Sequence, residues 1–508
     1  SALWQGSCAV GHGSGFSSAA ECMVEGLSGE AAGVVDDALA AIQKLRDSGE
    51  LYDVIEGIPK PAAPLAEPPS PPTGKLSKVA EQLLGKTGLW GLFVPQVYGG
   101  SGCSFIELVQ SITRLASVNP TVAGLLSVHS TIGAVSAVTT FGSEDQQQYW
   151  SPQLAEGKPL SAFAATEPDA GCDLHRISSR LEYNGRQLLL TGTKMFITGA
   201  TYGRLVKTLA LFEEKPVIAL VKLPQSNTSH FTLQSYGLHP LKHAHNNALK
   251  FQQFPIDPSC VLSPGRHPDG QERDGMSIVW HGLNRGRITL AAQASGTIRM
   301  LLDQAVLYSG KRCTWGQPIQ TRELVLGRLG RMAAAQIVCD ALSGWSASLI
   351  DDGRSGELEA ILAKIVASRC LRQAAVDALG IHGGRAFLVG HPLGDSFHDL
   401  FAAGIYEGES DLLGLALFKG IAKHHPLASK RSFLDWIQWR ISRSLQFFPP
   451  KEDAVLLDSE LRSLAFQARR NLVAASIETD RLLRAYGRQL AEQQLILADL
   501  SDRIQGFI

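Results

Sequence analysis

Apolar residues along this chain recur every three or four positions in most stretches, and one central block breaks that rhythm. Val34 to Ile55 has the spacing of a helix with one buried face. The same spacing fills Lys75 to about Glu156, interrupted by Gly88 to Pro95 and the glycine-rich turn Tyr98-Gly99-Gly100-Ser101-Gly102. Residues 161–263 switch to short β-type runs: Gln187 to Thr191, Leu209 to Phe212 and Val217 to Val221, punctuated by Asn184-Gly185, Gly199 and Pro224. They predict a small antiparallel barrel or sandwich between helical halves. From Gly275 to about Ala422 the helical period returns, with one helix starting at Ile288 and others over Leu324 to Leu349 and Leu358 to Leu379, as in an antiparallel bundle. Residues 430–508 are helical too, and Tyr486, Leu490, Leu497, Leu500, Ile504 and Phe507 mark one buried stripe.

The pattern divides the chain into 1–74, an N-terminal extension with one helix and a Pro-rich linker; 75–160, helical; 161–265, β; 275–425, a helical bundle; and 426–508, further helices. Residues 1–33 are rich in Gly, Ser and Ala and read as poorly ordered. Gly11-His12-Gly13-Ser14-Gly15 follows no strand and opens no helix, so it reads as tail rather than phosphate loop. Pro68-Pro69-Ser70-Pro71-Pro72 disfavours helix and sheet and reads as a spacer.

Composition changes the picture little. At 508 residues, 44% apolar and 19% charged with net charge −1, the chain has the make-up of a multi-domain globular protein and gives no reason to propose nucleic acid as partner. No apolar run reads as long and charge-free enough to span a bilayer. The chain starts at Ser1, which fits processing or truncation, and carries no recognisable signal-peptide pattern. Its eight cysteines stand singly with no CxxC pair, which suits a reducing compartment and argues against a zinc site. His243 and His245 alternate on one strand without further ligand types nearby and read as rim residues, so no metal is expected. His129, on an apolar helix, reads as a core histidine.

Three segments carry chemistry. Ile405-Tyr406-Glu407-Gly408-Glu409-Ser410 sets a carboxylate beside a glycine, between an apolar run and a helical one, as a general base on a tight loop would be. Thr166-Glu167-Pro168-Asp169-Ala170-Gly171-Cys172-Asp173 and Lys194-Met195-Phe196-Ile197-Thr198-Gly199 lie in the β block. In this order and spacing, over about residues 75–425, they resemble the acyl-CoA dehydrogenase family, flavoenzymes that desaturate acyl thioesters between Cα and Cβ. Gly487 to Ile504 is similar to the extra C-terminal helical region of the family's very-long-chain branch. The resemblance implies an α+β fold: an N-terminal helical domain, a middle antiparallel β-barrel, and a C-terminal helical bundle plus an extra helical region.

Such chemistry needs a base on one side of the Cα–Cβ bond, an electron sink on the other, and donors at the thioester oxygen. The resemblance makes Glu407 the base. Some relatives place that carboxylate on a bundle helix instead, where this chain has Gly286. Gly408 would allow close approach of substrate, and Arg287 would act on the substrate side or orient the base. FAD is the implied cofactor. Thr166 and Thr198 match threonines that bond the flavin ring, and Phe196 stands where a tryptophan packs on it. Cys172 replaces a serine that donates to a flavin phosphate, and a thiol donates weakly. Arg312, Gly383 and Gly384 match residues that meet the flavin diphosphate of the neighbouring subunit. Glu409 replaces a threonine and is assigned no cofactor contact; it suits a helix start.

The resemblance therefore implies a homodimer that oxidises a long or bulky acyl-CoA and passes electrons to a separate electron-transfer flavoprotein-like acceptor, as no NAD or haem motif is present. It places the chain in a bacterial cytoplasm or a mitochondrial matrix, and leaves peripheral membrane contact open. Two alternatives keep the fold: a desaturase of carrier-protein-bound thioesters, or a non-catalytic scaffold.

Overall fold

The computed structural model of the chain describes residues 27, 29–54, 73–265, 274–388, 391–423, 425–427, 432–445 and 459–507. The Gly11 to Gly15 motif and the prolines at 68–72 lie outside them. The first described helix, α1 (Gly29–Asp47), buries Val35, Ala38, Ile42 and Leu45 on one stripe. It begins inside the stretch read as poorly ordered, and Ala31 is already in the core. It also stops short of Ile55, because Gly49 turns the chain with φ +75° and β1 (Tyr52–Val54) pairs antiparallel with β2 (Thr73–Leu76). Strand pairing here overrides the helical spacing.

The N-terminal helical layer continues with α2 (Lys78–Lys86), α3 (Phe105–Ala116), α4 (Pro120–Ser127), a π-helical turn (Val128–Ile132), α5 (Val135–Phe141) and α6 (Glu144–Ala155). Then comes one eight-stranded sheet: β3 (Ser161–Ala164), β4 (Arg180–Tyr183), β5 (Leu188–Thr198), β6 (Leu205–Phe212), β7 (Lys215–Lys222), β8 (Phe231–Ser235), β9 (Asn246–Ile256) and β10 (Val261–Leu262). Most of its pairings are antiparallel, as expected, but β3 and β4 each run parallel to β6, so the sheet is mixed. Side chains alternate along β6: Leu205 and Leu209 pack toward the helices, while Val206 and Ala210 fill the sheet's other core.

Three long helices form the bundle: α7 (Gly275–Lys311), α8 (Glu323–Asp351) and α9 (Glu357–His382). The first begins well before Ile288, since a helix buried nearly all round shows no clear spacing. Short helices α10 (Pro392–Asp395) and α11 (Phe397–Ala402) lead to α12 (Ser410–Lys423). Beyond lie α13 (Phe433–Leu445), α14 (Ser459–Tyr486) and α15 (Gln494–Phe507). The C-terminal stripe does bury Leu490, Leu497, Leu500 and Ile504 together, but on two elements, a 3-10 turn (Gly487–Glu492) and α15, and Gly487, whose φ is +53°, cuts them off from the helix that ends at Tyr486.

The expectation that no run is long enough to cross a bilayer needs correcting. Pro120–Phe141 (22 residues) and Glu323–Asp351 (29 residues) both pass by length and composition. The first is 78% buried inside the protein and the second 39%. The first run thus owes its apolarity to a place in the core; the second leaves an apolar face uncovered.

Candidate active site

Between α11 and α12 the chain makes a tight loop. Ser410 closes it, its backbone N–H and its hydroxyl both donating to the Gly404 carbonyl at 3.1 Å. From α9, the buried Lys364 ammonium donates to the carbonyls of Gly404 and Gly408 and to the Ser410 hydroxyl. Held this way, Glu407 and Gly408 both take left-handed backbone, at φ 59° and 102°. A glutamate in that region stores strain of about 1–3 kcal/mol, the sort of distortion that persists where a side chain must be aimed.

The aim is toward α7. A Cβ built on Gly286 would stand 2.9 Å from Glu407 Oε2 and 2.3 Å from Ile132 Cγ2. The carboxylate therefore rests in the space a side chain at position 286 would fill. Oε2 is buried and has no hydrogen-bond partner among the described residues. Arg287 Nε donates to the Glu407 carbonyl at 3.2 Å, and its Nη1 to Asn284 Oδ1 at 3.3 Å, so the arginine holds the backbone and leaves the carboxylate free. Burial pushes the Glu407 carboxyl up to about 7, against the pull of the Arg287 and Lys364 cations. Burial likewise lowers Lys364 to about 8, although Glu407 favours its charge.

The β side brings a second group. Met195 N–H donates to the Thr166 carbonyl at 2.9 Å, which sets the two family-like segments side by side. Beneath them a buried Lys194–Glu167 ion pair at 2.7 Å locks the turn, with Glu167 also accepting from Ser178 and Ser179. A bulge between Lys194 and Ile197 gives Phe196 a φ of 58° and throws its ring out, 53% exposed. Its edge meets Tyr236, whose hydroxyl takes the Phe196 N–H. Thr198 Oγ1 accepts from Asn246 Nδ2 at 2.9 Å. Cys172 is exposed in the turn after β3. An uncovered aromatic, two partly open threonines and an exposed turn fit a planar cofactor with a charged tail.

Arg312, Gly383 and Gly384 lie elsewhere. Tyr308 of α7 stacks on His382 at 4.7 Å, which puts all three at one end of the bundle. From Gly286 that end is about 39 Å along α7, at 1.5 Å per residue. All three are exposed, and added Cβ atoms at the two glycines would meet nothing within 4 Å. Within one chain they cannot join Glu407.

Several other readings find their places. Glu409 Oε2 accepts the N–H groups of Asp411 and Leu412 at 3.0 Å, capping α12. His129 is buried, bonded to Ser161 Oγ and the Leu154 carbonyl at 3.0 Å each. His243 is half-buried rather than at a rim: it stacks on Tyr52 and bonds the Gly74 carbonyl, tying down β2. Sequence reasoning missed Lys364, although its signal was present, a lone cation in the apolar run Ala360-Ile361-Leu362-Ala363-Lys364-Ile365-Val366-Ala367. It saw Gly286 only as an absent carboxylate, not as the seat of one.

The acyl-CoA dehydrogenase C-terminal domain family matches residues 273–421 and the N-terminal domain family residues 72–158. An acyl-CoA dehydrogenase of Bacillus subtilis is 31% identical over 345 residues, 66% of this chain and 87% of its own length. The chain belongs to the acyl-CoA dehydrogenase family. As a member it is an oxidoreductase acting on CH–CH bonds. The very-long-chain mitochondrial enzyme of Bos taurus is 27% identical over 67% of this chain and 52% of its own. Among solved structures, an acyl-CoA dehydrogenase from Bacillus anthracis complexed with FAD shares the fold at TM-score 0.76 and 18% identity, covering 95% of this chain and 81% of its own. For this dehydrogenase the Gly286 seat makes a direct prediction. Gly286→Ala displaces the carboxylate and lowers kcat about 100-fold, as misplacement by 1 Å can, with the bound-flavin spectrum unchanged; stopped-flow flavin reduction measures it.

Proposed function

We propose that this chain carries out FAD-dependent α,β-dehydrogenation of an acyl-CoA thioester, with Glu407 as the base that takes the α-proton. The observation that carries this reading is the Glu407 carboxylate itself, buried over Gly286, unpartnered at Oε2 and raised to about 7 by desolvation. A base so poised is ionised in a useful fraction near neutral pH and gains driving force for proton abstraction. Arg287 and Lys364 act on its backbone and loop, holding the carboxylate on one side of the substrate's first carbons. FAD, when bound, supplies the two-electron acceptor for the β-hydrogen. Phe196, Thr166 and Thr198 would hold its ring, with the Cys172 turn beside its phosphates through backbone N–H groups. A scaffold would have no use for a strained loop that presents a desolvated carboxylate.

The working unit is a homodimer. Arg312, Gly383 and Gly384 reach a flavin only from a second copy, given their distance along α7. On α8, Leu324, Val338 and Trp345 are exposed at 83%, 40% and 46%, spaced to share one stripe that a second copy would cover. Electrons then leave to a separate electron-transferring flavoprotein.

The test is anaerobic. Purified protein is yellow, and acyl thioesters of graded length and branching, offered as CoA and as carrier-protein esters, bleach the flavin with at least one CoA ester effective. Colourless protein, or a flavin that no thioester bleaches, would sink the reading.

A further inference from the structure

Lys207 sits in the middle of β6, on the face that carries Leu205 and Leu209 toward the helices. It is fully buried, and its ammonium has no hydrogen-bond or carboxylate partner among the described residues. Its one favourable neighbour is the Phe163 ring, 4.4 Å from Nζ to the centroid. A lone buried ammonium is a costly feature, since desolvation opposes its charge and nothing here answers it. Burial alone lowers it to about 7. An apolar residue would fill the same space at no such cost.

Its direction is informative. Nζ lies 2.7 Å from where a Cβ on Gly282 would stand, and Ile132 Cα and the Thr131 carbonyl oxygen are each 3.5 Å from that point. Gly282 and Gly286 lie four residues apart on α7, neighbours on one helix face about 6 Å apart. Glu407 Oε2 occupies the Gly286 position and Lys207 Nζ the Gly282 position, with Ile132 of the π-helical turn against both. A carboxylate that would take a proton and an unanswered cation thus meet one strip of α7, about one turn apart. Two glycines leave that strip bare.

We propose that Lys207 is the counter-ion for a carboxylate at the far end of the substrate's acyl group, so that this dehydrogenase acts on the thioester of a short dicarboxylic acid. The inference rests on Glu407 being the base, because that fixes where the substrate's Cα lies. It replaces the long plain chain implied by resemblance to the very-long-chain branch. The substrate's far carboxylate supplies the charge that Lys207 lacks, and burial strengthens the pair. A methyl-ended chain of the same length would leave the cation unanswered.

The experiment uses the flavin-loaded enzyme and matched CoA thioesters, each ω-carboxyl acyl group paired with a methyl-ended one of equal length. Wild type is expected to reduce its flavin with a kcat/KM about 100-fold higher for the ω-carboxyl member at the best length, the scale set by truncating one partner of a buried charge pair. Lys207→Met, similar in volume and uncharged, is expected to abolish that preference. Wild type favouring methyl-ended thioesters at every length would overturn the proposal, as would a variant with the wild-type ratio. If Lys207→Met does not hold flavin, the wild-type ratio decides alone. Bleaching by methyl-ended esters only would sink this inference and leave Glu407 as base intact; no bleaching by either class would sink both.

Discussion

Replacing Glu407 by glutamine will leave FAD bound and slow substrate-driven flavin bleaching by roughly 10²–10⁴-fold, the usual contribution of a positioned base. The amide keeps the side chain's volume over Gly286, so the loop need not move. Only the ability to take a proton is lost. Rapid-mixing spectroscopy of flavin reduction reads the effect directly, and bleaching at the wild-type rate would show that another group is the base. In wild type, the rate should climb as pH rises through about 7, where the buried carboxyl ionises. The variant should lack that limb.

The same substitution has a signed effect on stability. The folded-state pKa of Glu407 is raised above the ordinary carboxyl range, to about 7, so the folded protein holds this proton more tightly than the unfolded chain does. The group's contribution is fully present below the unfolded pKa and lost as pH rises through 7. Glutamine cannot ionise. Glu407→Gln should therefore melt higher than wild type at pH 8 and close to it at pH 4, as differential scanning calorimetry would measure. A gain in stability with a loss of activity is expected where a charge is buried for function.

Removing the cation beneath the loop should harm both properties. Lys364→Met strands the Gly408 carbonyl and removes one donor from the Gly404 carbonyl and the Ser410 hydroxyl, which stay bonded to each other. An unsatisfied buried acceptor costs about 1–3 kcal/mol, and relief of the lysine's own desolvation offsets part of that, so a net loss of about 1–2 kcal/mol is expected. The left-handed pair Glu407 and Gly408 would relax toward ordinary backbone and swing the carboxylate off Gly286. Flavin reduction should fall at least tenfold, with the thermal midpoint lowered at every pH. A variant that keeps wild-type rates while losing stability would show Lys364 to be structural only.

Much of this was legible along the chain. Spacing marked α8 and α9 nearly to their ends, because α8 shows one face to the core and another outward, and α9, buried all round over 360–365, keeps one buried stripe from Leu371 on. Family-like motifs singled out Glu407, Phe196 and the Thr166 turn, because a tight loop, a bulge and a turn demand particular residues locally. Spacing failed where burial is all-round, as on α7 before Ile288, and where distant pairing intervened, as when Thr73–Leu76 captured Tyr52–Val54 out of the first helix.

By itself the sequence determined the order of helical and β blocks, which follows from local spacing, and singled out Glu407 beside Gly408 through the resemblance of a short motif. Only the tertiary structure decided that this carboxylate lies over Gly286, that Lys364 clamps its loop, that Lys207 points at the same helix face, and that Arg312, Gly383 and Gly384 stand at the far end of α7. Those facts depend on which distant segments share space, and on how far water has been excluded between them, neither of which is written in local spacing.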